Sequence, residues 1–374
     1  MTITNRTDYE NALQAIGICV STRIPVLLWG NPGEGKTSMI ESAAQRGWHI
    51  ETVIISQSEP SDLAGLPVVG PRGGVTLAPP AWAKRLAETD GPTICFFDEF
   101  STAQPSLQAA ALRILTHSEV GSLTLPESVA FVAAANPIDV AAAGWELAAP
   151  TASRFIHLDF GMPLDVFSDG VVAGSWPTLP VYDLPPCFSA LHAAEMALIT
   201  GFLRIRESQL SVVPKDASAR GRAFPTPRTW DYAGALVALA DVVNASHDVV
   251  RLLVAGAVGD ATAHEYLSWR SNVDLPDPDC LLNDVELVDF SALRPDRVYV
   301  VLQSVLAALQ RESSSNRWAA AVELCCQAAG QVGIDAAVPA VRTLLRPEYR
   351  PHGASVPSGV SVFAPALSLA GLIP

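Results

Sequence analysis

The chain has 374 residues, 49% apolar and 17% charged, with a formal net charge of −14. Those proportions exclude an intrinsically disordered chain, and the length leaves room for two or three domains. The acidic balance argues against a duplex nucleic acid as the main partner, because such binding draws on Lys and Arg to displace counterions.

In chain order, residues 9–20 carry the spacing of an amphipathic helix, and 25–29 read as a first buried strand. A glycine-bearing loop follows, then a helix over 37–46 that Gly47 ends. Residues 50–55 alternate like a second strand, and 66–77 read as a hairpin with a glycine-rich tip. Residues 93–97 form a third, wholly apolar strand, 105–117 a helix, 129–135 a fourth strand and 155–160 a fifth, with Phe155, His157 and Asp159 on one side. Strands alternating with helices predict a mostly parallel sheet covered on both faces. The prolines of 163–188 mark a linker with room for one short helix. Beyond it the pattern is helical, over 191–206, 227–243, 247–269, 296–309 and 318–330. The expected organisation is an α/β nucleotide-binding core (1–162), a linker (163–188), an all-helical lid (189–272), a helical extension (273–346) and a loosely packed tail (347–374).

The loop after the first strand is the most informative segment. Gly30-Asn31-Pro32-Gly33-Glu34-Gly35-Lys36-Thr37 fits G-x-x-x-x-G-K-[ST], and Ser38 continues the helix start. Glycines let successive N–H groups point into one concavity, and the positive end of the helix favours an anion there. Lys36 can reach the β- and γ-phosphates as a point charge, while the Thr37 hydroxyl suits Mg²⁺. The third strand ends in Asp98-Glu99. Asp98 is placed to complete the Mg²⁺ shell and Glu99 to orient or deprotonate a water. The fourth strand ends at Asn136-Pro137, whose amide can hydrogen-bond a γ-phosphate or the attacking water. Strand ends on one edge of such a sheet are where ligands bind. The expected ligands are therefore a nucleoside triphosphate and Mg²⁺.

The six cysteines, Cys19, Cys95, Cys187, Cys280, Cys325 and Cys326, form no C-x-x-C pair and read as reduced thiols of a cytoplasmic protein. The first residues hold no apolar secretion segment. The apolar run 362–373 is too short to span a bilayer and contains Pro365, so no membrane partner is expected.

Taken together, Gly30 to Thr37, Phe-Phe-Asp-Glu (96–99), Ala-Ala-Asn-Pro (134–137), Gly-Trp-Glu-Leu-Ala-Ala-Pro-Thr-Ala-Ser-Arg-Phe (144–155) and Pro-Thr-Pro-Arg-Thr-Trp (225–230) resemble the AAA+ ATPases, and within them the MoxR branch. The resemblance covers about residues 8–270. It implies Mg²⁺-dependent hydrolysis of ATP to ADP and phosphate. It implies that Arg154 reaches the nucleotide of a neighbouring subunit, and that Arg228, as second sensor, contacts the γ-phosphate of its own. It also implies a homo-oligomeric ring, a hexamer, and a chaperone-like role beside a protein with a von Willebrand factor A domain. The segment 66–77 resembles the hairpin inserted within helix 2 in this clade. Two other readings compete. One is a nucleotide-gated scaffold with negligible turnover, which the intact Asp98 and Glu99 oppose. The other is a nucleic-acid motor, which the net charge and the lone Arg72 at the hairpin tip oppose.

Overall fold

Strands form where the sequence runs apolar between turns. Val26–Trp29 (β1), Thr93–Asp98 (β5) and Val129–Ala135 (β8) are buried almost throughout, as expected for the inner strands of a parallel sheet. The computed structural model describes residues 3–69, 73–137, 140, 144–273, 275–364 and 367. His49–Ile54 (β2) and Ile156–Asp159 (β9) flank these strands, giving a five-stranded sheet ordered β2-β5-β8-β1-β9. Every pairing in it is parallel. The strand order reverses beside β1, so the crevice for a ligand opens at the carboxyl ends of β1, β5 and β8.

The chain divides into two compact units. The first comprises Met1–Leu184 and Leu210–His264. In it, Arg6–Ser21 (α1) precedes β1, and Lys36–Glu41 (α2) follows the glycine loop. Pro60–Ala64 (α3) and Ala81–Glu88 (α4) bracket an antiparallel hairpin, Leu66–Val69 (β3) with Val75–Ala78 (β4). The expected hairpin is therefore present. Its tip, Arg72 included, lies outside the described residues. Pro105–His117 (α5) leads through a short hairpin, Glu119–Val120 (β6) with Leu123–Thr124 (β7), into β8. Ala149–Ala152 (α6) precedes β9, and Leu164–Ala173 (α7) is the one helix in the proline-rich segment expected to link domains. One face of the sheet holds Leu27, Trp29, Phe97, Phe131 and Phe155 in a single apolar cluster with α4 and α5. The other face is covered by α1 and by a helix described next.

The second unit comprises Pro185–Gln209 and Glu265–Pro374. Phe188–Ile205 (α8) belongs to it, whereas Ala217–Arg220 (α9), Pro227–Val242 (α10) and His247–Val258 (α11) belong to the first unit, where α11 lies on β9. The helices of segment 189–272 are thus divided between the units. The single helix expected over 247–269 breaks at Gly259, and Asp260–Ser271 (α12) continues after it. Pro278–Asn283 (α13), Pro295–Arg311 (α14), Ser315–Gln331 (α15) and Ile334–Leu344 (α16) build the core of the second unit. Val360, Phe363 and Leu367 are buried in that core, so this part of the tail expected to pack loosely is held in place. Among the described residues, α8 is the one helix long and apolar enough to cross a bilayer. Its Glu195, however, is buried against Tyr266 and Arg270 of the same unit, with Arg270 Nη2 3.0 Å from the carboxylate. Through these contacts α8 packs on Tyr266 and Arg270, both in segment 260–271.

Candidate phosphate and metal site

The loop after β1 is shaped by its glycines. Gly35 starts α2 with φ +80°, a left-handed conformation that other residues adopt only under strain. Gly30 needs its missing side chain for a different reason. A methyl group there would lie 2.3 Å from the Phe160 carbonyl oxygen, so β9 and the loop could not run this close.

Lys36 extends back under the loop. Its ammonium donates to Gly30 O at 2.6 Å, Asn31 O at 2.9 Å and Asn136 Oδ1 at 3.2 Å. The side chain is almost fully buried. Burial lowers its pKa, and the negative charges of Glu34 and Asp98 oppose that shift. Glu34 itself turns onto the loop, accepting from Asn31 N at 2.8 Å and Asn31 Nδ2 at 3.0 Å.

Thr37 and Asp98 come from α2 and β5 and meet directly, Thr37 Oγ1 donating to Asp98 Oδ2 at 3.0 Å. A hydroxyl and a carboxylate at the mouth of the loop form an oxygen donor set that fits a hard divalent cation such as Mg²⁺. Glu99 follows with φ +58°, rare for a non-glycine residue, while its N–H donates to Asp98 Oδ1 at 2.8 Å. That turn splits the two acids, leaving Asp98 on the loop and Glu99 toward solvent. The Glu99 carboxylate accepts from Ser56 Oγ, just beyond β2. At the end of β8, Asn136 is pinned by Ser101, which accepts from Asn136 N and donates to Asn136 O, each at 3.0 Å.

The structure therefore brings together two hydrogen-bonded pairs, Lys36 with Asn136 and Thr37 with Asp98, at the mouth of the loop 30–38. Sequence reasoning named those residues and missed Ser56 and Ser101, which lack any local motif and gain their roles only through sheet order. Arg154 and Arg228 take other hydrogen-bond partners. Arg154 Nε donates to Thr116 Oγ1 and Nη1 to Pro150 O, both at 2.6 Å. Arg228 Nη1 reaches Ser153 Oγ at 3.4 Å. Burial, and then the like charge of Arg228, lowers the Arg154 pKa, so the two guanidiniums are neighbours. Among the described residues neither contacts the phosphate loop. Asp159 pairs with Arg222 at 3.3 Å. Trp29 does not open toward the loop's concavity. It is buried, and its Nε1 donates to His157 Nδ1 at 3.0 Å.

A cavity of about 600 Å³ adjoins the outer side of the loop, bordered by Gly33, Gly35, Met39, Met162, Phe167 and Trp176. The Phe167 and Trp176 rings lie 5.8 Å apart beside it.

Residues 25–155 match the sequence model of the AAA domain, dynein-related subfamily. The match begins just before β1 and ends just after Arg154, so it contains both hydrogen-bonded pairs. No curated protein matches the chain. A crystal structure from Cytophaga hutchinsonii ATCC 33406, of a protein assigned only provisionally as an ATPase, is similar at 16% identity with a TM-score of 0.43, over 73% of this chain and 91% of that one. The first unit thus has the α/β fold of an AAA domain, followed by a largely helical C-terminal region.

Proposed function

We propose that the chain is an ATPase that works between copies of itself and remodels a partner protein. The observation that carries this is the convergence of Lys36, Thr37, Asp98 and Asn136 at the carboxyl ends of β1, β5 and β8. In the reaction Lys36 exchanges its carbonyl partners for phosphate oxygens and places a fixed positive charge among them. Thr37 and Asp98 would hold a Mg²⁺ ion, which would supply charge compensation on the phosphate oxygens. Glu99 takes the proton of the attacking water, and Asn136 Nδ2 donates to the terminal phosphate. The cavity flanked by Phe167 and Trp176 is where a purine base stacks once the phosphates fill the loop.

Arg154 and Arg228 stand together and hydrogen-bond no residue of their own phosphate loop among the described residues, which leaves both open to a shared role in trans. Presented by a neighbouring copy, the two guanidiniums offset charge on the phosphoryl group in transit. Arg228 then serves the next subunit rather than its own. The hexameric ring, the MoxR branch, the chaperone-like role and the von Willebrand factor A partner rest on sequence resemblance alone. The hydrogen bond from Ser56 to Glu99 favours a second reading, in which nucleotide gates assembly and turnover is slow without a partner.

The test mixes two inactive proteins, Lys36→Ala and Arg154→Ala. Half-sites from each complete one another at mixed interfaces, so turnover returns in the mixture. Absence of recovery, with assembly intact, contradicts action in trans. Glu99→Gln separates the readings, because an ATPase loses turnover while keeping nucleotide and a scaffold loses nothing.

A further inference from the structure

Among the apolar residues of β1 and β9, a polar pair interrupts the core. Trp29 and His157 are both buried, at 5% and 8% exposure, their rings 6.2 Å apart and 15° from parallel. Leucines would fill this space without the demand for hydrogen-bond partners that buried polar groups carry. Here every polar atom is matched. Trp29 Nε1 donates to His157 Nδ1 at 3.0 Å, and His157 Nε2 donates to Ala152 O at 2.9 Å. The neutral imidazole has one proton, and these two contacts require it on Nε2.

The two ends of this bridge matter. Trp29 is the last residue of β1 and abuts Gly30, the first residue of the phosphate loop. Its outer ring face is clamped by the Arg222 guanidinium at 3.9 Å, which Asp159 holds in turn. At the far end, Ala152 closes α6, the four-residue helix just before Ser153 and Arg154. The carbonyls at the end of α6 are divided among few donors. Pro150 O takes the Arg154 side chain and Ser153 Oγ, Thr151 O takes Arg154 N at 3.1 Å, and Ala152 O takes both Phe155 N at 3.1 Å and His157. The imidazole thus adds a side-chain hold from inside to the backbone bond from Phe155 at the turn that offers Arg154, and Ser153 with Arg228 on it.

We propose that Trp29 and His157 are positioning residues, a rigid bridge that fixes the Arg154–Arg228 pair relative to the root of the phosphate loop. The inference rests on the trans role assigned above to those arginines. Loss of the bridge lets α6 turn and misplaces the arginines offered to the next copy, while the protein's own loop stays competent. Trp29→Phe removes the indole N–H and keeps an aromatic ring. His157→Gln keeps an amide toward Ala152 and serves as a second variant should the first fold poorly.

The expected result for either variant is an ATP affinity within about twofold of the wild type and a kcat lower by about five- to tenfold, the scale of one lost hydrogen bond. The decisive readout is mixing with Lys36→Ala, whose loop is dead but whose bridge and arginines are intact. If the bridge serves the arginines, Trp29→Phe loops meet well-placed arginines from Lys36→Ala copies. Turnover per total protein then rises above that of Trp29→Phe alone, although half the loops are inactive. Mixing Trp29→Phe with Arg154→Ala gives no rise, since both are defective on the arginine side. If Trp29 merely supports its own loop, the first mixture falls to about half the activity of Trp29→Phe alone, and the proposal is overturned. The pair Lys36→Ala with Arg154→Ala is the control. Recovery there without recovery for Trp29→Phe rejects the bridge and spares the trans arginines. No recovery in the control removes the trans role and, with it, the task assigned to Trp29 and His157.

Discussion

Acid should loosen the first unit through one residue, His157. Burial first, with the Arg222 charge adding to it, drives the His157 pKa from the usual 6.5 down to about 4. The hydrogen bond to Ala152 and the charge of Asp159 pull the other way without prevailing. A proton on Nδ1 would face the indole N–H donor, so charging the ring breaks the bridge. Because the folded pKa lies below the unfolded one, the unfolded chain binds the extra proton between about pH 6.5 and 4, and stability rises with pH across that window. Below the folded pKa the whole contribution is lost, an amount on the order of 3 kcal/mol, of which about 2 kcal/mol falls between pH 7 and 5. That upper part is separable from the carboxylates, which titrate mostly lower. The assay is hydrogen exchange of the β1 and β9 amides at several pH values, corrected for intrinsic exchange, in wild type and His157→Gln. Wild type should lose about 2 kcal/mol of protection from pH 7 to 5, and the Gln protein, having no ring to charge, should show little of that slope. Equal slopes in the two proteins would refute the assignment of the acid response to His157.

Three other outcomes follow from the site. Ser56→Ala frees the Glu99 carboxylate from its resting partner, and basal ATP turnover should rise a few-fold, about 1 kcal/mol of barrier, measured as kcat. A fall in kcat would mean that Ser56 aims Glu99 productively. Gly30→Ala forces a methyl against the Phe160 backbone and should destabilise the first unit by roughly 1–3 kcal/mol, read by thermal unfolding. Gly35→Ala meets only Met162 Cε at 3.7 Å, so its penalty is backbone strain alone, about 1–2 kcal/mol, and the Gly30 variant should be the worse of the two.

The chemistry-bearing segments were legible in the sequence because each is local. Gly30 to Thr37 is contiguous, and Asp98-Glu99 and Asn136 each end an apolar run that only a buried parallel strand explains. What sequence reasoning missed depends on distant segments meeting. Ser56 reaches Glu99 because β2 pairs with β5, and Ser101 reaches Asn136 because β5 pairs with β8. Nothing local marks His157, because its partners Trp29 and Ala152 lie on other elements. The helix break at Gly259 was hidden because one glycine inside a helical pattern is often tolerated. The division of helices between the units was also out of reach, because helical periodicity says which face is buried and not against what. Arg228 shows the same limit. Its motif marks a helix start at Pro227, but only the fold shows it beside Ser153 and Arg154.

The most direct test of the account is calorimetric titration of the purified protein with ATP, with and without Mg²⁺, beside Lys36→Met. The account predicts saturable binding that Mg²⁺ strengthens, and a loss of about ten- to hundredfold in affinity when the Lys36 charge is removed. A folded protein that shows no Mg²⁺-dependent affinity for ATP, or that binds equally well without Lys36, would contradict it.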